Sequence, residues 1–230
     1  VKEKPYRELI GCLLYAAVVT RADVACVVGL LSRAVSEPRV IHWKPAMRTL
    51  GYLHATAKLG LTYKGPVKLS GMVDANWGAD DSRKSTSGFC FFLNGGAVSW
   101  GSKRQKAVSL STAESEYYAA ALAAQEAVWM RLLLKELGFK CEGPTRLGED
   151  NKACISLAKN PTNHSRCKHI DIKFHFLRQL IQEKVLEVYH VPSKENVADI
   201  LTKPLPRPQH RELTEKLMGQ AIPKYEHKRE

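Results

Sequence analysis

The sequence predicts an α/β fold: a mixed five-stranded sheet with helices on both faces, preceded by a small helical segment. Three observations predict it. After residue 66 the elements run strand, strand, strand, helix, strand, helices, strand, helix, an order that suits a mixed sheet covered on both sides. Asn94-Gly95 lies between two apolar runs and is the strongest short-range hairpin signal a sequence offers. Residues 111–137 carry small and apolar residues at helical spacing, a stripe that lets a long helix lie close on a sheet.

The totals narrow the class. A chain of 230 residues makes one large domain or two modest ones, and with 44% hydrophobic residues it can bury a sizeable core. The formal net charge is +12 with no single Lys/Arg block, which favours a polyanionic partner through phosphate contacts and counterion release. The six cysteines form no CxxC pair and mostly lie in apolar segments, which suits reduced thiols in an intracellular protein. The polar opening residues are unlike a signal peptide, and no run of 18 apolar residues is present to span a membrane.

Residues 1–65 read as helical. A first amphipathic run covers 6–19. Thr20 is placed to cap a second helix with Asp23 in its first turn, running to about Val35. Trp43, Met47 and Leu50, with Leu53 and Leu59 beyond them, predict a third helix ended by Gly60. His42 and His54 stand alone and read as surface or capping groups. Gly65-Pro66 marks a boundary. Strands at 67–75, 88–93 and 97–100 form an antiparallel meander. Ser111 or Thr112 caps the long helix and Gly138 closes it. A strand at 145–149 follows, then a helix at 151–159 stopped by Asn160-Pro161. Ile170, Phe174, Leu177 and Ile181 place another helix before a last strand at 185–191. Residues 196–201 begin a final helix that Pro204, Pro206 and Pro208 break, and 212–230 read as a polar tail.

The acidic residues that stand out lie where elements start or stop: Asp74, Glu114 or Glu116, Asp150 and Asp199. Any one of them alone reads as a cap or a solvated charge. Together they are the inventory of a hydrolytic metal site, in which hard oxygen ligands hold two Mg²⁺ or Mn²⁺ ions roughly 4 Å apart. Glu114 and Glu116 diverge by roughly 200° around a helix, so only one faces the sheet. Glu116 heads the stripe Ala120, Ala123, Ala127, Met130 and Leu134, whereas Glu114 falls on the side of Tyr118 and suits the helix dipole.

Two stretches suit a nucleic-acid backbone. In Arg83-Lys84-Ser85-Thr86-Ser87-Gly88, small polar groups match a phosphate or a 2′-hydroxyl, with a plain turn as the simpler alternative. Lys103-Arg104-Gln105-Lys106 brings further basic groups. The zinc-like spacing His164-x-x-Cys167-x-His169 lacks a second well-spaced pair and is discounted. No Walker loop, GxGxxG or serine nucleophile elbow occurs.

Eight motifs in order carry a resemblance. Asp74-Ala-Asn-Trp-Gly, Ser85-Thr-Ser-Gly, Val98-Ser-Trp-Gly-Ser-Lys-Arg-Gln105 and Leu110-Ser-Thr-Ala-Glu-Ser-Glu-Tyr117 come first. Asp150-Asn-Lys-Ala, Asn160-Pro, Lys168-His-Ile-Asp171 and Val197-Ala-Asp-Ile-Leu-Thr-Lys203 follow. They resemble the ribonuclease H domain of copia-type (Ty1/copia) retrotransposon Pol polyproteins. Residues 1–65 are similar to the thumb or connection segment that follows the reverse-transcriptase palm. The resemblance divides the chain into that segment, a ribonuclease H domain at 66–211 and a tail at 212–230. It implies a ribonuclease H-like fold and an endonuclease that degrades the RNA strand of RNA–DNA hybrids during reverse transcription. It implies two Mg²⁺ ions, with Mn²⁺ as a substitute, held by Asp74, Glu116, Asp150 and Asp199. Asn151 and His169, within these motifs, join Arg83, Lys84, Ser85, Thr86, Ser87, Lys103, Arg104 and Gln105 as expected nucleic-acid contacts. The implied partners are the hybrid and the reverse-transcriptase part of the same polyprotein, in a cytoplasmic virus-like particle or in the nucleus.

Of three departures from the family, one, at Arg21-Ala22, touches helix stability and two touch function. No Tyr-x-Asp-Asp polymerase motif is present, and the loop before Asp199 lacks the histidine that cellular ribonucleases H often place there; His190 precedes it on the strand. Two alternatives stand beside the resemblance. A non-catalytic hybrid-binding remnant is disfavoured by four intact carboxylates. An integrase or transposase would order its acids Asp, Asp, Glu.

Overall fold

The sheet is built outward from β1 (Ser70–Asn76). On one side β1 pairs antiparallel with β2 (Thr86–Leu93), which pairs antiparallel with β3 (Gly96–Arg104). On the other it pairs parallel with β4 (Thr145–Glu149), which pairs parallel with β5 (Leu186–His190). The resulting order, β3-β2-β1-β4-β5, is a ribonuclease H-like mixed sheet. The computed structural model describes residues 4–65, 67–80, 82–159 and 168–219, the side chains of 168–174 excepted.

Strand alternation sends side chains to two different cores. Val73, Phe89, Phe91, Leu147 and Val188 pack under α4 (Thr112–Glu136), α5 (Lys152–Lys159) and α6 (Lys168–Gln182). Met72, Cys90 and Phe92 pack on the opposite face against a 3₁₀ turn, Val197–Leu201, and α7 (Arg207–Leu217). The predicted stripe on α4 is the one that faces the sheet: Glu116, Ala120, Ala123, Ala127, Met130 and Leu134 are all buried. Asn94 (φ 53°) and Gly95 (φ 82°) both take the left-handed conformation of a type I′ hairpin.

The helical segment is docked on this fold. Its helices are α1 (Tyr6–Val19), α2 (Ala25–Ser32) and α3 (Val40–Ala55). They share a core of Tyr6, Ile10, Leu13, Val24 and Val28. Trp100 Nε1 on β3 donates to the Ala17 carbonyl (2.8 Å), and Ala22 is buried in the second core of the sheet.

Three expectations are corrected. Thr20 ends α1 and caps no second helix; Ala22–Val24 forms a 3₁₀ turn instead. Asp23 there is buried, paired to Arg21 (2.8 Å) and accepting from the Tyr52 hydroxyl (2.7 Å), so a buried ion pair shapes the turn. On α3 the inward side is Ala46 and Thr49, with Trp43 and Leu53 packed beside them, whereas Met47 and Leu50 are exposed. Residues 212–219 are structural rather than tail. Leu213, Leu217 and Met218 are fully buried, and the Met218 carbonyl accepts from Thr62 N–H (2.8 Å). The expected tail retains only 220–230, which lie outside the described residues.

Gly88 faces Asp74 in the β1–β2 register. A Cβ there would sit 2.6 Å from Thr202 Cγ2 and 2.9 Å from Leu201 Cβ. Gly88→Ala therefore has to push the 197–202 turn away from β1. The expected cost is about 1–3 kcal/mol of stability, as for other overpacked sites. Urea denaturation checks it; an unchanged midpoint would show that the turn yields freely.

Candidate active site

Asp74 lies near the end of β1, where Met72 and Asp74 share the face covered by the 197–202 turn. Thr202 Oγ1 donates to Asp74 Oδ2, and Asn196 Nδ2 donates to the Val73 carbonyl (2.9 Å), so the turn is clamped to the strand. Asp199 sits in that turn, with Lys203 Nζ at 2.8 Å from its Oδ1 and 3.6 Å from Asp74 Oδ2. Glu116 arrives from the first turns of α4 and Asp150 from the end of β4. One carboxylate oxygen from each of Asp74, Glu116 and Asp150 falls within 4.8 Å of the others. The four acids picked from the sequence thus stand together, three in one cluster and Asp199 beside Asp74.

Burial of these like charges dominates the electrostatics. Burial pushes the Asp74 carboxyl up to about 7, with Lys203 and the Thr202 hydroxyl opposing and Asp199 and Asp150 adding. Burial, then the charges of Glu149, Asp74 and Asp150, pushes Glu116 up to about 11. Glu116 Oε2 and Glu149 Oε2 are buried without a hydrogen-bond partner among the described residues. Buried carboxylate oxygens left unpartnered in an all-oxygen cluster are the donor set of a hard divalent cation, so the residues fit the Mg²⁺ that the resemblance implies.

Glu114 is at the helix end, as expected. Its backbone N–H donates to Ser111 Oγ (3.2 Å) and its Oε2 accepts from Leu110 N–H (2.6 Å), so it caps α4 from outside the cluster.

The expected nucleic-acid contacts divide. Arg83 and Lys103 are exposed and Lys84 half-buried. Ser85, Thr86, Ser87 and Gln105 are buried and are corrected to scaffold. Ser85 Oγ accepts from Gly78 N–H (3.2 Å), and Thr86 Oγ1 accepts from Arg33 (3.4 Å). Gln105 Nε2 donates to Ser87 Oγ and to the Ser115 carbonyl, both at 2.9 Å, tying β2 to the residue before Glu116. Arg104 is engaged by Asp80 (2.6 Å). Asn151 Oδ1 accepts from Cys154 N–H (3.0 Å), a capping contact at the start of α5. The His169 side chain lies outside the described residues.

Sequence reasoning missed Glu149, Thr202 and Lys203. Glu149 is fully buried, its carboxyl held well above the usual range by burial first and by Asp150 and Asp74 after it. The alternation Thr145, Leu147, Glu149 along a strand was the available signal. For Lys203 the signal was its spacing of four from Asp199.

The strand order and the buried acids at the ends of β1 and β4 define a ribonuclease H-like domain. No family model matches the chain. It is 40% identical over 218 residues to the Retrovirus-related Pol polyprotein from transposon TNT 1-94 of Nicotiana tabacum, covering 94% of this chain and 16% of that one. It is 38% identical to the Retrovirus-related Pol polyprotein from transposon RE2 of Arabidopsis thaliana, covering 88% of this chain and 14% of that one. Secreted RxLR effector protein 161 of Plasmopara viticola is 49% identical over 133 residues, covering 56% of this chain and 94% of the effector. Among solved structures, LC11-RNase H1 in complex with RNA/DNA hybrid aligns with a TM-score of 0.44 at 14% identity, over 59% of this chain and 94% of that one. The foamy viral protease-reverse transcriptase in complex with RNA/DNA hybrid aligns with a TM-score of 0.46 at 12% identity, over 88% of this chain and 27% of that one. Over most of its length the chain is similar to part of copia-type Pol polyproteins, and its fold is that of a ribonuclease H domain. It spans only 16% and 14% of the two plant polyproteins.

The raised carboxyls have a consequence for stability. Asp74 moves from 3.8 unfolded to about 7 folded, so the folded state holds its proton more tightly. This contribution is fully present below about pH 4 and is lost as pH rises through about 7. Glu116 extends the loss from 4.5 towards about 11. In chelator, the melting temperature is expected to fall from pH 5 to pH 8, and Asp74→Asn to remove part of that fall. Parallel pH profiles for the variant and the unaltered protein would show that Asp74 is not crowded by its neighbours.

Proposed function

We propose that this chain is a metal-dependent endonuclease that hydrolyses the RNA strand of RNA–DNA hybrids during retrotransposon reverse transcription. The observation that carries the reading is the convergence of Asp74, Glu116 and Asp150 within 4.8 Å, with Asp199 beside Asp74. Asp74, Glu116 and Asp150 would hold one divalent ion, and Asp74 with Asp199 a second. Two Mg²⁺ ions, or Mn²⁺ in their place, supply the charge that activates a water and stabilises the leaving oxygen of a phosphodiester.

The chain's own residues set the conditions for that chemistry. Burial keeps water from solvating Asp74 and Glu116, so a cation favours their charged forms. Thr202 and Asn196 hold Asp74 and the 197–202 turn in register. The exposed Arg83 and Lys103 are the proposed contacts to a phosphate backbone, and strand choice would rest on the 2′-hydroxyl. Products would carry 5′-phosphate and 3′-hydroxyl ends. The reverse-transcriptase part of the same polyprotein is the proposed partner, and the exposed apolar residues Tyr15 and Val18 on α1 and Ile41 on α3 offer it a surface.

The test is incubation of the purified chain with labelled RNA–DNA hybrid and with DNA duplex, with and without Mg²⁺. Only the RNA of the hybrid should be cut, and only with the ion. Glu116→Gln should lower the rate by more than about a hundredfold, beyond the 10–100-fold typical of losing a group that merely supports a ligand. Glu114→Gln should lose only some stability through its cap. Cleavage of DNA duplex at a similar rate, or a dead Glu114→Gln beside an active Glu116→Gln, would contradict the reading.

A further inference from the structure

We infer that Lys203 is a built-in cation that occupies the Asp74–Asp199 side of the acidic site and must give way before a second divalent ion enters. The inference rests on the two-ion reading above and assigns the order in which the ions bind.

The acidic cluster is electrostatically divided. On one side Asp74, Glu116 and Asp150 converge, and Glu116 Oε2 has no hydrogen-bond partner among the described residues. On the other, the Lys203 ammonium stands 2.8 Å from Asp199 Oδ1 and 3.6 Å from Asp74 Oδ2. An ammonium has donors and no lone pair, so Lys203 cannot become a ligand to a metal ion; it can only take the place of one. Like charges a few ångströms apart repel strongly in a buried site, so Nζ and a divalent ion exclude one another between these two carboxylates.

The backbone around Lys203 is fixed while its side chain has a way out. Lys203 N–H donates to the Asp199 carbonyl (3.2 Å), and the preceding Thr202 is clamped to Asp74. The side chain itself is 35% exposed, and a four-carbon stem lets its head swing to solvent without moving the turn. Arg33 and Arg104, both beside Thr86, pair with Asp80 instead.

The first ion therefore enters the Asp74–Glu116–Asp150 side without competition, and the second only after the ammonium leaves. A backbone phosphate arriving at the site offers the displaced ammonium a new partner. Substrate and second ion then favour one another's binding, and by linkage the effect is reciprocal.

The test is a calorimetric titration of the full chain with Mn²⁺, without nucleic acid, for the unaltered protein, Lys203→Met and Lys203→Arg. Lys203→Met is expected to tighten the second ion by about tenfold or more and to leave the first within about twofold, whereas Lys203→Arg keeps the weak second site. Lys203→Gln carries the same comparison should the methionine variant not fold. A lysine that merely braces the turn predicts the opposite, weaker binding of both ions in Lys203→Met, and that result overturns the inference. So does an unchanged second affinity, which leaves the metal reading intact. An unaltered protein that binds no Mn²⁺ at all overturns both.

Discussion

Repulsion among buried carboxylates is the constraint on which the rest of this structure depends. Asp74, Glu116, Glu149 and Asp199 are all buried, and each gains by moving apart. Two unit charges 4 Å apart repel by on the order of 4 kcal/mol at the effective dielectric of a protein. A whole domain is stable by only about 5–15 kcal/mol, so a fully ionised cluster would consume much of that margin. Two effects keep the fold ahead. Protonation removes the cost of burying charge and then the repulsion, which is why Asp74 and Glu116 hold their protons far above the usual carboxylate range. Packing on both faces of the sheet supplies the remainder.

That packing is arranged so that each acid comes from a different rigid element. The alanines of α4 bring the helix close enough to β1 for Glu116 to reach the cluster. The absence of a side chain at Gly88 admits the turn that carries Asp199. Buried hydroxyls and Gln105 tie β2 and β3 to the start of α4, so groups suited by type to contact a substrate act here as braces. The helical segment and α7 close the second face, with Trp100 bonded to α1 and Met218 bonded to Thr62.

Much of this was legible in the sequence because it is periodic or local. The α4 stripe, the Asn94-Gly95 hairpin, and the choice of Glu116 over Glu114 follow from helical phase and turn chemistry alone. What escaped depends on partners far away in the chain. Ser85, Thr86, Ser87 and Gln105 look like surface polar groups until β2 and β3 pair and α4 docks on them. Asp23 reads as a helix-start acid until Tyr52, 29 residues on, reaches it. Lys203 reads as a solvated charge until Thr202 meets Asp74 across 128 residues. Glu149 reads as an ordinary strand residue beside Asp150 until Glu116 approaches it from α4.

The central claim is that the crowded acids are a cation site rather than a structural cluster, and thermal unfolding against ion concentration tests it most directly. At pH 8 a ligand that binds only the folded state stabilises it by RT ln(1 + [L]/Kd), so the melting temperature should climb steadily with the logarithm of Mg²⁺ concentration. With Asp74→Asn the climb should largely vanish. A melting temperature that is the same in chelator and in millimolar Mg²⁺ would contradict the account.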